Sequence, residues 1–162
     1  MKTREKIIKE SLSLFNENTF ELSTTNLIAK RSDVLEGSLW YHFNSKNDLV
    51  SVHLGLFKDA FNEQRSHSQG DNPKNLILGI FSIYEVLWDY RYLMRDSFEQ
   101  FSSDFPGLNK KIDVMNSEID EWAKNTIIHA RDLGVLHIKD SDIDSIVEIS
   151  LIIGRHWLDY SM

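Results

Sequence analysis

At 162 residues the chain is long enough to bury a core in one or two domains, and 41% hydrophobic with 27% charged residues is a globular balance, not a disordered one. The absence of Cys excludes disulfides, thiolate metal sites and thiol nucleophiles, and it fits a reducing cytoplasm. A net charge of −7 argues against a uniformly basic nucleic-acid binder, but residues 1–46 hold seven Lys/Arg against six Asp/Glu while the remainder holds eleven against nineteen.

The first ten residues, MKTREKIIKE, are charged and lack the apolar core of a signal peptide. With two prolines, seven glycines and no sustained period-two alternation, the chain reads as all-α. In the first helix Ile8, Leu12 and Phe15 recur at i, i+4, i+7, supported by Ile7 and Leu14. NENTFELST interrupts it. A short helix opens near Thr24, whose hydroxyl can cap it, and carries Leu27, Ile28 and Ala29. A tight turn at Ser32-Asp33 leads to a second short helix over residues 36–42, and Ser45 caps a longer connecting helix from about 46 to 67.

SQGDNPKN marks a boundary, with Asn72 ahead of Pro73 at a first-turn position. Beyond it run two adjacent stripes: Ile77, Phe81, Tyr84 and Trp88, then Leu76, Ile80, Ile83 and Leu87. So wide an apolar arc predicts a helix buried at the centre of a bundle. A further helix starts at the Pro of SSDFPGL and runs to Gly134. After the loop GVLHIKDSD, with Asp140 or Ser141 as cap, the last helix carries Ile143, Ile146, Val147, Leu151 and Trp157. Its apolar run IVEISLIIG is too short to span a bilayer and contains Glu148, so no membrane span is expected.

Two short helices joined by a tight turn and braced by a longer one have the layout of a helix-turn-helix. Ala29 is small where the helices must approach, and Val34, Leu39 and Phe43 point inward. Glu36, Ser38, Trp40, Tyr41 and His42 then face outward, with groups suited to phosphates and base edges. Spacing alone leaves a DNA reader and an ordinary three-helix bundle equally open.

TTNLIAKRSDVLEGSLWYHFNSKNDL resembles the signature of TetR/AcrR-type transcriptional regulators. The resemblance is carried by Thr24, Ile28, Ala29, Val34, Gly37, Ser38, Leu39, Tyr41, His42, Phe43, Ser45, Lys46 and Leu49, and YRYLMRD, FPGL and Trp157 add a looser likeness to one subgroup. It implies a helix-turn-helix DNA-binding domain over residues 1–46 and a helical effector-binding and dimerisation domain over 47–162, in a cytoplasmic repressor released from a palindromic operator by a small molecule. Position by position it implies phosphate contacts from Thr24, Thr25, Tyr41 and Lys46, close backbone approach at Gly37, major-groove contact from Trp40, and sequence choice from Asn26, Glu36, Ser38 and His42. The family's turn glycine is Asp33 here, and the residue that caps the recognition helix is Leu35, which has no cap to offer. Glu36 either repels phosphate or accepts from a cytosine amine. The family's last helix usually extends past WLDYSM, which implies a short interface or a longer parent chain.

For the effector, Phe81, Tyr84, Trp88, Tyr92, Phe98, Phe101 and Trp122 suit an apolar or flat ligand; the competing expectation is that they are core. Ile119, Trp122 and the apolar last helix suggest the homodimer that a palindromic operator requires. His129 and His156 stand alone, DSDID and SEIDE lack a calcium loop's glycine and spacing, and no metal site or cofactor is expected. No Gly-x-Ser-x-Gly elbow or Gly-rich phosphate loop supports an enzyme. The competing function is a helical small-molecule- or protein-binding module whose DNA-reading end has lost its role.

Overall fold

The computed structural model describes residues 2–67, 72–95, 98, 102 and 105–160. Among these residues the helices are α1 (Thr3–Glu17), α2 (Thr25–Arg31), α3 (Glu36–His42), α4 (Lys46–His67), α5 (Pro73–Asp89), α6 (Pro106–Asp132) and α7 (Ile143–Tyr160). Short 3-10 turns cover Arg91–Met94 and Asp140–Asp142, and no strand occurs among the described residues.

Local chemistry sets the boundaries. Thr24 Oγ1 accepts the Leu27 N–H at 3.2 Å and Asn72 Oδ1 accepts the Asn75 N–H at 3.0 Å, each satisfying an amide that has no helical partner. Ser45 Oγ accepts the Asp48 N–H, and the Asp48 carboxylate accepts the Asn44 N–H at 2.8 Å. At the far end of α6 the Val135 N–H reaches back to the Ala130 carbonyl and the Gly134 N–H to Arg131, closing a Schellman cap. That cap needs a left-handed residue, and Gly134 supplies it at φ 71°.

Ile7, Ser11, Leu14 and Phe15 form the buried face of α1, flanked by half-buried Ile8 and Leu12. Phe15 meets Phe20 and Tyr92 edge-on at 5.1 Å each and His53 at 5.6 Å, and Tyr92 meets Phe98 at 5.2 Å. Tyr92 and Phe98 are therefore core, not pocket wall. Polar groups brace the same junction: Asn16 Nδ2 donates to the Asp89 carbonyl at 2.6 Å while its Oδ1 accepts the Tyr92 N–H at 3.1 Å. The buried Arg95 guanidinium donates to the carbonyls of Asn16 and Asn18 at the end of α1, where the helix exposes unpaired acceptors.

α5 departs from expectation. Leu76, Ile83 and Leu87 are buried, but Ile77, Phe81, Tyr84 and Trp88 are open, so only one of the two stripes meets the bundle. α4 and α6 cover a single flank of α5 and leave the other uncovered.

His53, fully buried on α4, has its Nε2 3.1 Å from the Ile8 carbonyl and its Nδ1 2.9 Å from the Tyr92 hydroxyl. A carbonyl only accepts, so Nε2 carries the proton and Nδ1 accepts from Tyr92. Burial pushes the ring's pKa from 6.5 down to about 4, against a smaller opposing pull from the Ile8 carbonyl. With the folded value depressed, the unfolded chain binds the proton first as pH falls. Stability is complete above pH 6.5 and is lost progressively toward pH 4. The expected loss from this group is on the order of 3 kcal/mol. Urea unfolding at pH 7 and pH 4.5 measures it; His53→Gln, which keeps a donor and an acceptor but cannot protonate, should flatten the difference, and an equal loss in both proteins would assign the pH dependence elsewhere.

Candidate nucleic-acid interface

Ala29 is buried, and of the expected inward set Leu39 and Phe43 are buried while Val34 is half-buried against the core. The turn between them is drawn tight by Ser32 N–H to Ile28 O at 2.9 Å and Val34 N–H to Ala29 O at 3.0 Å. Asp33 takes the left-handed conformation at φ 52°, which an L residue adopts with strain but Asp tolerates better than most. Leu35 occupies the cap of α3 without a side-chain bond, 81% exposed.

Along the outer side of this pair Thr24, Asn26, Gly37, Trp40 and Tyr41 are exposed, Tyr41 to 85%. Ser38 and His42 are half-buried, and the His42 ring lies edge-on to Tyr41 at 5.1 Å. These seven residues offer hydroxyl, amide, indole and imidazole groups on the two short helices. Among them the Thr24 hydroxyl already caps α2, and the other three expected residues bond to groups of other segments. Thr25 Oγ1 donates to Glu36 Oε1 at 2.7 Å, tying the start of α2 to the start of α3. The Lys46 ammonium donates to the Phe20 carbonyl and lies 4.0 Å from that ring's centroid, half-buried, with its pKa lowered by burial.

Other cations of this region are similarly engaged. Arg31 donates to both carboxylate oxygens of Glu17 and to Glu10, and the Arg31 hydrogen bond is the main reason that the Glu17 carboxyl falls to about 2. The Arg4 guanidinium sits 5.2 Å from the Phe43 ring centroid and Lys6 pairs with Asp33 at 3.5 Å. Lys30 on α2 remains exposed. The two short helices therefore offer hydrogen bonds more than net positive charge.

In the body, the seven aromatics expected to form one pocket separate. Tyr92 and Phe98 belong to the core; Phe101 lies outside the described residues. Phe81, Tyr84 and Trp88 flank an open groove of about 280 Å³ with Trp157, Glu85 and Asp89. Tyr84 and Trp122 border a cavity of only about 50 Å³ against α7. The largest described cavity, about 460 Å³, lies between α4 and α6, and none of the seven lines it. Its walls include Gly55, Lys58, Lys110 and Lys111, which the sequence offered no pattern to select, apart from a glycine inside a helix. Among the described residues no group of three His, Asp or Glu is placed to hold a metal ion, and no helix is long and apolar enough to cross a membrane.

Residues 7–52 match the family model described as bacterial regulatory proteins, tetR family, and residues 57–162 match a second described as TetR, bacterial transcriptional repressor. The chain is 25% identical over 119 residues to the HTH-type transcriptional regulator QacR of Staphylococcus aureus, covering 72% of this chain and 62% of that protein. It is 23% identical over 128 residues to IcaR of Staphylococcus epidermidis, a negative regulator of the biofilm operon icaADBC, covering 78% and 65%. It thus spans less than two thirds of either relative's length. A TetR-family regulator from Marinobacter aquaeolei superposes with a TM-score of 0.82 at 23% identity, over 98% of this chain and 79% of that one. PfmR of Thermus thermophilus gives 0.72 at 15%, over 96% and 86%.

The turn supplies a direct test of its geometry. Replacing Asp33 with Gly removes the left-handed penalty and gives up only an exposed ion pair with Lys6. Asp33→Gly should raise stability by up to about 1 kcal/mol, and a thermal midpoint below that of the parent would show that the aspartate is needed there.

Proposed function

The chain belongs to the TetR family of bacterial transcriptional regulators, and we propose that it is a homodimeric repressor that reads a palindromic operator and leaves it when a small molecule binds its body. The carrying observation is α3, whose Leu39 is buried while Gly37, Trp40 and Tyr41 stand open beside Thr24 and Asn26. A helix held by its inner face and displayed by its outer one is what the major groove admits. Thr24 and Tyr41 contact phosphates; Asn26, Ser38 and His42 choose among bases; Trp40 packs against sugar or a thymine methyl. Thr25 and Glu36 hold α2 and α3 in register, and Lys46 braces the support from within.

Dimerisation is supported by α7, where Ile149, Ile152, Ile153 and Trp157 are exposed along one apolar face. A two-fold axis there would pair the faces and set the spacing of two recognition helices. α4 supplies the coupling, because it borders the 460 Å³ cavity on one side and holds α1 through His53 on the other. A ligand that fits only one tilt of α4 would favour dimers whose recognition helices no longer match the operator. Such a reader of chromosomal DNA would work in the cytoplasm.

One observation favours the competing function, a binding module that no longer reads DNA: Arg4, Lys6, Arg31 and Lys46 all engage groups of their own domain. Binding to the DNA upstream of its own coding region, compared with a scrambled fragment across a salt series, separates the two. A regulator should prefer the upstream fragment by roughly 4 kcal/mol or more; equal, weak binding to both would favour the module. Lys46→Ala should leave the salt slope unchanged, since its ammonium is already bonded to Phe20, and a slope lower by about one unit would return it to the phosphates. Ile153→Glu, on the exposed face, should keep the helicity and give a monomer in sedimentation; an unchanged dimer would move the interface off α7.

A further inference from the structure

We propose that the cavity between α4 and α6 binds an amphipathic anion, an apolar chain ended by a carboxylate or similar head group. The ligand's role as effector rests on the regulatory function proposed above; its chemical class rests on the walls of the cavity.

The volume of about 460 Å³ lies in the range of small-molecule sites, roughly 300–1,000 Å³. Leu54 and Phe57 of α4 face Val114 and Met115 of α6, an apolar trough broad enough for an alkyl chain or a flat ring. Charge is confined to the rim and is unbalanced. Glu118 is paired with Lys58 at 3.1 Å, whereas Lys110 and Lys111 form no ion pair among the described residues. The first turn of α6 adds to the positive side: Gly107, its second residue, lines the cavity, and a helix start carries the positive end of the dipole. A cationic ligand would find one carboxylate there, already neutralised. An anion would find two lysines and the positive end of a long helix.

Two exposed glycines line the same cavity. Gly55 sits inside α4, where glycine weakens a helix relative to alanine, and Gly107 faces it from α6. A Cβ at either position would meet no atom within 4 Å, so packing requires neither glycine. A larger side chain at either position would extend into that open space. The cavity borders α4 over Ser51 to Lys58, the stretch that holds His53 against α1 on its other side. An occupant there presses on the helix that supports the DNA-reading end.

Calorimetric titration of the full chain, without DNA, decides the class. The probes are dodecanoate and dodecyltrimethylammonium below their micelle concentrations. The variants are Gly55→Leu, which fills the cavity, and the exposed pair Lys110→Gln/Lys111→Gln; helicity and thermal midpoint report folding. Dodecanoate should bind at least tenfold tighter than the cation, and each variant should weaken it at least tenfold. Equal affinity for the two probes, no binding of dodecanoate, or unchanged affinity in the variants would overturn the proposal. Preference for the cation would do so as well and would move the ligand to the groove of Phe81, Trp88 and Trp157 beside Glu85 and Asp89. If Gly55→Leu loses helicity, the lysine pair decides alone. Release of the bound upstream DNA is then scored with both probes. Dodecanoate binding without release would sink the effector role and leave the site standing; release by the cation alone would keep a ligand-gated regulator and sink the anion.

Discussion

A neutral imidazole in the middle of the molecule sets the terms for both ends of it. His53 has no exposed surface, and its two nitrogens must serve the Ile8 carbonyl on α1 and the hydroxyl of Tyr92 in the turn beyond α5. Phe15 packs edge-on against both rings, and Asn16 and Arg95 close the end of α1 against the same turn. These contacts join segments almost eighty residues apart in sequence, so the N-terminal helices α1 to α3 and the helices of the body share one core. His53, Tyr92, Asn16 and Arg95 each bond a group from another segment, and losing one would leave the other unpaired in a low dielectric. The junction therefore favours a single arrangement of these segments.

α4 is the element that links this junction to the body. Its Phe57 and Phe61 stack at 5.5 Å and meet Tyr90 and Trp122, anchoring it to the body. His53 anchors it to α1, and between these anchors it forms one wall of the largest described cavity. α5 and α7 contribute differently, each burying one side and leaving an apolar stripe in solvent. A second copy of the chain could cover such a surface at little cost, since the side chains are already fixed on helices.

Electrostatics give the DNA-facing end its particular character. Part of the positive charge there is engaged locally, by Glu17 and Glu10 on Arg31 and by the Phe20 carbonyl and ring on Lys46, while Lys30 stays exposed. Binding through such a surface would release few counterions and would lean on hydroxyls, Asn26 and the indole of Trp40. Thr25 and Glu36 illustrate the same economy. A carboxylate that would repel phosphate in open solvent instead accepts a hydrogen bond that fixes two short helices together.

How much of this was legible in the sequence follows from how local the determining physics is. The helix starts at Thr24, Ser45 and Asn72, the left-handed turn at Asp33 and the inward set Ala29, Leu39 and Phe43 were readable because caps, turns and periodicity act within a few residues. The outward display of Trp40 and Tyr41 followed from the same period. Periodicity could not say that one of two equal stripes on α5 would stay uncovered, since that depends on which flank α4 and α6 take. Nor could it separate Tyr92 and Phe98, which are core, from Phe81 and Trp88, which are open: all four are aromatic on helical or turn segments, and only tertiary packing sorts them. Lys46 was legible as a cation at a helix start, but its direction depended on a carbonyl at Phe20, twenty-six residues earlier. The sequence by itself determined the helices and the faces of the short ones, because those energies are local; the three-dimensional fold alone decided which polar groups meet and where space remains, because those depend on segments far apart in the chain.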